Sequence, residues 1–228
     1  MLKNNLHICI LLILALASCS DPENPQRLSG HDFYPLETGR YSEFGVQRTV
    51  YTVDRRQEVS QYRIRQVTGD TIPTTDGRKV YQMRYAVKEL YSDWKTDSVN
   101  ASWHTADKAI EQENGKPVIK INFPLSEGAQ WDINALNNLG KQIGFVRNLS
   151  RPYQLPTISF QNTITVIRQD DSTLLSRKKY IEIYAANVGL IRRERVTLEY
   201  CYTGDCVGKG IINSGWKEVI TLENFGKQ

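Results

Sequence analysis

The residues with chemical potential are few, and their spacing suits little chemistry. Cys201 and Cys206 have four residues between them in CYTGDC. In an oxidising compartment such a pair closes a disulfide across a tight loop, and the spacing is not the C-x-x-C of a redox couple. His104 sits in ASWHTAD at what reads as an exposed strand end, and His7 and His31 are the other histidines. No H-x-x-x-H pair or paired C-x-x-C offers a zinc site, and no G-x-S-x-G turn offers a hydrolase nucleophile. Asp170-Asp171 lacks the alternating oxygen ligands of a calcium loop and reads as a hairpin turn. The stretch 204–210, GDCVGKG, has three residues between its first two glycines where a phosphate loop needs four. It also ends in Gly210 where a hydroxyl should meet magnesium. These eliminations lead to the expectation of a protein that is not an enzyme and carries no metal or cofactor.

Binding is a better prospect than turnover. Trp131, Asp132 and Asn134 follow Gly128 in a compact run, and they are candidates for the mouth of a ligand pocket, with Trp131 as a core plug the structural alternative. The cations Arg63, Arg65, Arg177, Lys178, Lys179, Arg192, Arg193 and Arg195 have Glu182, Glu194 and Glu199 near them in sequence, so a solvated sheet face is the default reading. An acidic glycan or a lipid headgroup is the functional alternative for that cluster. Twelve tyrosines and four tryptophans could line a sugar or lipid cavity, or pack half-buried on a sheet. With 29 Lys and Arg against 25 Asp and Glu, the net charge of +4 excludes a polybasic nucleic-acid binder.

The remaining reactive residue is Cys19. Residues 1–20, MLKNNLHICILLILALASCS, pair a cationic Lys3 with an apolar run over 8–17. A spanning helix needs about 20 apolar residues, so this run is a secretory signal rather than an anchor. Leu16-Ala17-Ser18-Cys19 resembles the bacterial lipobox, which implies cleavage before Cys19 and acylation of its sulfur and amine. Several acyl chains anchor stably where one does not. The polar stretch that follows, with Pro22 and Pro25, reads as a tether through residue 31. Its acidic Asp21 and Glu23 resemble the export signal of surface lipoproteins in Bacteroidetes. An outer-membrane lipoprotein, in the periplasmic leaflet or on the cell surface, is therefore expected, with the membrane as its partner through the lipid.

The elements that must carry these residues have a period of two. Tyr81, Met83, Tyr85 and Val87 alternate with Gln82, Arg84 and Lys88; Ile119, Ile121 and Phe123 alternate with Lys120 and Asn122. Turn signals at Thr68-Gly69-Asp70, Asp76-Gly77, Asn114-Gly115 and Gln169-Asp170-Asp171-Ser172 fall between such runs. The pattern predicts about nine to ten strands over 41–54, 57–67, 78–91, 97–105, 108–113, 117–123, 159–168, 173–185, 189–202 and 214–222. Residues 132–150 are irregular, with room for a short helix or turn near Asn134–Leu139. No internal linker divides 32–228. The expected class is all-β: one antiparallel meander curled into an open barrel or a two-sheet sandwich.

Three phrases, in order, resemble a group of uncharacterised lipoproteins from Bacteroidetes. The first is HDFYPLETGRY over 31–41, similar to that group's YPL-x-x-G-x-(Y/W) opening. The second is Phe123-Pro124-Leu125 with Glu127-Gly128, Trp131-Asp132, Asn134 and Asn137. The third is YAANVGLI over 184–191, ending in Glu194. The resemblance implies a lipid-anchored extracytoplasmic β-domain and brings no established activity. Two functional classes stand: a non-enzymatic binding or structural module of the envelope, and a lipocalin-like carrier of a lipid or other apolar ligand. A glycan ligand and a protein partner are also left open.

Overall fold

The computed structural model describes residues 28–54 and 56–228. Cys19, the signal segment and most of the tether lie outside the described residues. The folded part is already under way at Leu28, which pairs with Leu125 through two backbone hydrogen bonds of 2.9 and 2.7 Å. A short 3-10 turn follows at His31–Phe33, and its Phe33 is fully buried.

Twelve strands then run as one antiparallel sheet. They are β1 (Arg40–Tyr51), β2 (Gln57–Ile72), β3 (Val80–Glu89), β4 (Lys95–His104), β5 (Lys108–Glu113), β6 (Lys116–Asn122), β7 (Gln130–Asp132), β8 (Ile143–Gln154), β9 (Ser159–Ser172), β10 (Ser176–Ala185), β11 (Gly189–Tyr200) and β12 (Ile212–Lys227). Each strand pairs with its neighbours in the chain except at β6 and β7, and β1 pairs with β12, so the first and last strands lie in the middle of the sheet. The edges β6 and β7 meet on the far side. There the Ile119 amide donates to the Ile133 carbonyl at 3.0 Å, and the Trp131 indole N–H donates to the Ile119 carbonyl at 3.1 Å. The sheet is a nearly closed barrel, which removes most of the exposed edge that an open sheet would leave.

The class is the expected one and the strand count is higher. β7 and β8 lie in the stretch that alternation did not resolve. Residues 133–139 form turns and bends, not a helix. β8 escapes a period-two reading because its pairing with β9 slips twice, between Arg147 and Tyr153, while Asn148 and Ser150 take positive φ of 55° and 54°. Two turn assignments also move. Thr68-Gly69-Asp70 is a bulge inside β2, which continues to Ile72, and Gln169–Ser172 belongs to β9, whose turn lies at 173–175. Asn114-Gly115 is a hairpin turn with φ of 50° and 77°. Gly215 lets β12 lie against β11, because a Cβ there would sit 2.1 Å from the Thr197 carbonyl oxygen.

Two apolar clusters support the barrel. One gathers Phe33, Ile110, Ile121, Leu125, Trp131, Ile133 and Ile164 where the seam and the N-terminal segment meet. The other joins Phe44, Ile220 and Leu222 to Ile183, Ile191, Leu155 and Phe160.

Candidate ligand cavity

One face of the meander surrounds a cavity of about 480 Å³. Its lining follows the strand period: Ile64, Gln66 and Thr68 on β2, Met83, Tyr85 and Val87 on β3, Ser98 and Asn100 on β4, Glu111 and Glu113 on β5, and Arg193 and Arg195 on β11. Tyr34, Pro35 and Leu36 of the N-terminal segment form its floor; Asp97 and Asn114 mark the opposite, mouth end.

The deep wall is apolar on the β1–β2–β12 side. Phe44 pairs with Ile64 and Leu222, and Val46 pairs with Ile220. The opposite side is polar and almost fully partnered. Tyr34 donates its hydroxyl to Glu111 at 2.8 Å, and Tyr85 donates to the other oxygen of the same carboxylate. Lys120 on β6 lies 2.8 Å from Glu113 and 2.9 Å from Glu182, and Arg168 on β9 lies 3.0 Å from Glu113. Tyr184 donates to Glu182 at 3.0 Å, and Arg168 donates to the Tyr180 hydroxyl at 2.8 Å. Two carboxylates and two cations thus form a closed square that ties β5 and β6 to β9 and β10.

Burial alone would push these carboxyls up. Lys120 and Arg168 outweigh it and hold both Glu113 and Glu182 below the ordinary glutamate range. Burial would lower Lys120, but Glu113 and Glu182 raise it above the ordinary lysine value. Tyr34, Tyr85 and Tyr184 are pushed well up, first by burial and then by neighbouring carboxylates. At neutral pH the square is fully charged and these tyrosines are neutral donors. None of the shifted groups in the cavity titrates near pH 7, where a general acid or base would need to.

The guanidiniums of β11 differ. Arg193 faces Glu182 on β10 and Ile220 on β12 in the strand register, yet its nearest ion-pair partner is Glu218 at 3.9 Å. Its Nε is buried without a hydrogen-bond partner. Arg195 makes no ion pair among the described residues and is held by rings, 4.9 Å from the centre of Tyr180 and 5.3 Å from that of Trp216. Arg48 also lies over Trp216, at 5.0 Å, and Arg168 lies 4.3 Å from Tyr180. Such contacts fix a guanidinium plane while leaving N–H groups free at its edge.

The residues singled out from sequence lie elsewhere. Trp131 seals the seam, Asp132 accepts from the amides of Asn134 and Gln142, both at 3.0 Å, and Asn134 donates to the Gly140 carbonyl at 2.9 Å. Their polar groups serve the seam and its loop, and none of the three lines the barrel cavity, while Asn134 lines a second cavity with Gln142, Phe145 and Arg168. Cys201 and Cys206 are disulfide-bonded with Cα atoms 5.8 Å apart, in the loop between β11 and β12. The basic cluster divides: Arg193 and Arg195 face the cavity, while Arg65 pairs with Glu43, Arg63 with Glu223 and Lys179 with Glu194. His104 is not an exposed strand-end residue. It packs edge-on to Phe123 and 5.5 Å from His31, under the N-terminal segment, with Nε2 buried and unpartnered. Among the described residues no group of His, Cys, Asp and Glu is arranged to hold a metal ion, and no helix is long and apolar enough to cross a membrane.

No protein-family model and no curated protein matches the chain. Among solved structures, a protein from Parabacteroides distasonis provisionally described as a lipoprotein aligns at a TM-score of 0.42 and 10% identity, over 85% of this chain and 98% of that one. At that similarity the alignment carries no functional inference.

Proposed function

We propose that this protein is a lipid-anchored envelope protein whose barrel binds a small, partly apolar ligand without transforming it. The observation that carries the reading is the cavity itself: about 480 Å³, with an apolar wall at Phe44, Ile64 and Ile220 facing a wall of hydrogen-bonding groups. Ligand sites of this size are concave, largely apolar and fitted with a few fixed polar groups. The binding of Glu111 to two tyrosines and of Glu113 to two cations supports ligand binding over turnover. Exposed apolar side chains on the hairpin tips of the mouth end, Val53, Leu90, Tyr91, Leu174 and Tyr202 among them, give such a ligand a surface to cross. The anchoring rests on the signal-like leader and the Leu16–Cys19 phrase. Between the two readings of the sequence, the cavity favours the carrier over a solid structural module.

The test is titration with the apolar fluorophore N-phenyl-1-naphthylamine. The reading expects a saturable rise in fluorescence at one probe per chain, abolished by Ile64→Trp, which fills the apolar wall. Fluorescence that never saturates, or that is unchanged in a folded Ile64→Trp variant, would overturn it.

A further inference from the structure

We infer that the cavity selects a single-chain amphiphile with an anionic head, a carboxylate or a phosphate, held by Arg193 and Arg195 with its chain running toward Phe44. The inference rests on the cavity reading proposed above and adds the ligand's charge and orientation.

It follows from which polar groups are used and which are left over. The deep carboxylates on this face have partners: Glu111 takes Tyr34 and Tyr85, Glu113 takes Lys120 and Arg168, Glu182 takes Lys120 and Tyr184, and Glu218 takes Arg48 at 3.3 Å, while Asp97 at the mouth accepts from Ser98 at 3.0 Å. The donors are not used up. Arg193 and Arg195 donate no side-chain hydrogen bond among the described residues, and the Arg193 Nε is buried without an acceptor. A buried unpaired donor is costly, and a guanidinium with free N–H groups matches the fork of a carboxylate or phosphate.

Orientation comes from the register. Arg195 pairs with Glu218 toward the mouth, Arg193 pairs with Ile220 one layer deeper, and Phe44 pairs with Leu222 and Ile64 below that. Cations therefore stand above the apolar wall on the same strands. An anionic head at Arg193 places its chain against Ile220, Ile64 and Phe44, and the stacking of Arg195 between Tyr180 and Trp216 keeps the upper guanidinium in position.

The test is calorimetric titration with dodecanoate, dodecyl phosphate, dodecanol, dodecyltrimethylammonium and inorganic phosphate. The inference expects at least one anionic dodecyl probe to bind about tenfold or more tighter than dodecanol. It expects Arg193→Gln to erase that preference, the anionic probes losing about tenfold or more in affinity and dodecanol losing less. Arg195→Gln, at a side chain held by rings rather than by an ion pair, is the second, independent substitution and should lower the preference in the same direction. Inorganic phosphate alone should bind at least tenfold more weakly than dodecyl phosphate; equal affinity would mean a free-anion site and would overturn the inference. Equal binding of dodecanol and the anions, unaffected by either substitution, would overturn the anionic selection and leave the cavity reading intact. Failure of every dodecyl probe would overturn both.

Discussion

The ammonium of Lys120 on β6 lies 2.9 Å from the carboxylate of Glu182 on β10, with Lys120 5% and Glu182 0% exposed. The contact crosses the part of the barrel where the sheet's edges meet, and with Glu113 and Arg168 it completes a buried square of alternating charge. A square like this is weak evidence of net stability, because desolvation offsets most of the attraction. Removing one corner is a different matter. Lys120→Met leaves two buried carboxylates to share the single cation Arg168, and should cost about 3–5 kcal/mol in urea unfolding. Because Lys120 holds Glu113 and Glu182 down, their contribution is full above the ordinary glutamate value and is lost as the pH falls, so the variant should lose less urea stability between pH 7 and acid than the wild type does. A Lys120→Met protein with an unchanged urea midpoint and an unchanged loss toward acid would show that the square does not hold the seam.

Trp131 makes the second seam contact. Trp131→Phe keeps a ring in the core but removes the indole N–H from the Ile119 carbonyl, leaving that acceptor buried. The expected loss is about 1–3 kcal/mol, with faster hydrogen exchange at the Ile119 amide beside it. Exchange accelerated only at distant strands would place the role of Trp131 elsewhere.

The buried tyrosines give the pH dependence at the alkaline end. Tyr34, Tyr85 and Tyr184 have folded values above the ordinary 10.0, so their contribution is full below about pH 10 and is lost as the pH rises through the folded values. Above about pH 10 the urea midpoint should fall, and the tyrosinate absorbance of these residues should appear only with unfolding. A smooth, fully reversible tyrosinate titration of all twelve tyrosines in the folded protein would contradict this.

At the floor the sign reverses. Burial, and then the neighbouring His31, lower His104, so the stability from its neutral form is full above about pH 6.5 and is lost as the pH falls. His104 packs against Phe123 and Tyr34, so the loosening should be local. Protection of the Phe33 and Tyr34 amides, corrected for the intrinsic slowing of exchange in acid, should fall between pH 7 and 5, and His104→Phe should flatten that dependence.

Much of the scaffold is legible in the sequence and little of the site is. β3 and β6 show their alternation plainly, and Asn114-Gly115 marks its hairpin. β8 is hidden because its slips and its positive-φ residues break the period that identifies a strand. The charged square could not be read, since residues 113, 120, 168 and 182 come together only when the sheet closes. Arg193 and Arg195 show the limit most clearly. Alternating arginines normally mark the wet face of a sheet, and here that face turns inward around a cavity. Trp131, Asp132 and Asn134 combine a large ring with short polar side chains, a set that a seam and a pocket mouth share; Trp131 binds across the seam and Asn134 lines the second cavity beside β8 and β9.

On the proposed reading, the barrel holds a small ligand in its native setting. Native mass spectrometry of soluble protein beginning at Ser20, expressed in its own host, tests it most directly. The expected spectrum shows one small adduct per chain, which is lost in Ile64→Trp and carries an acidic group on fragmentation. A bare chain, or an adduct that persists in the filled variant, would contradict the account.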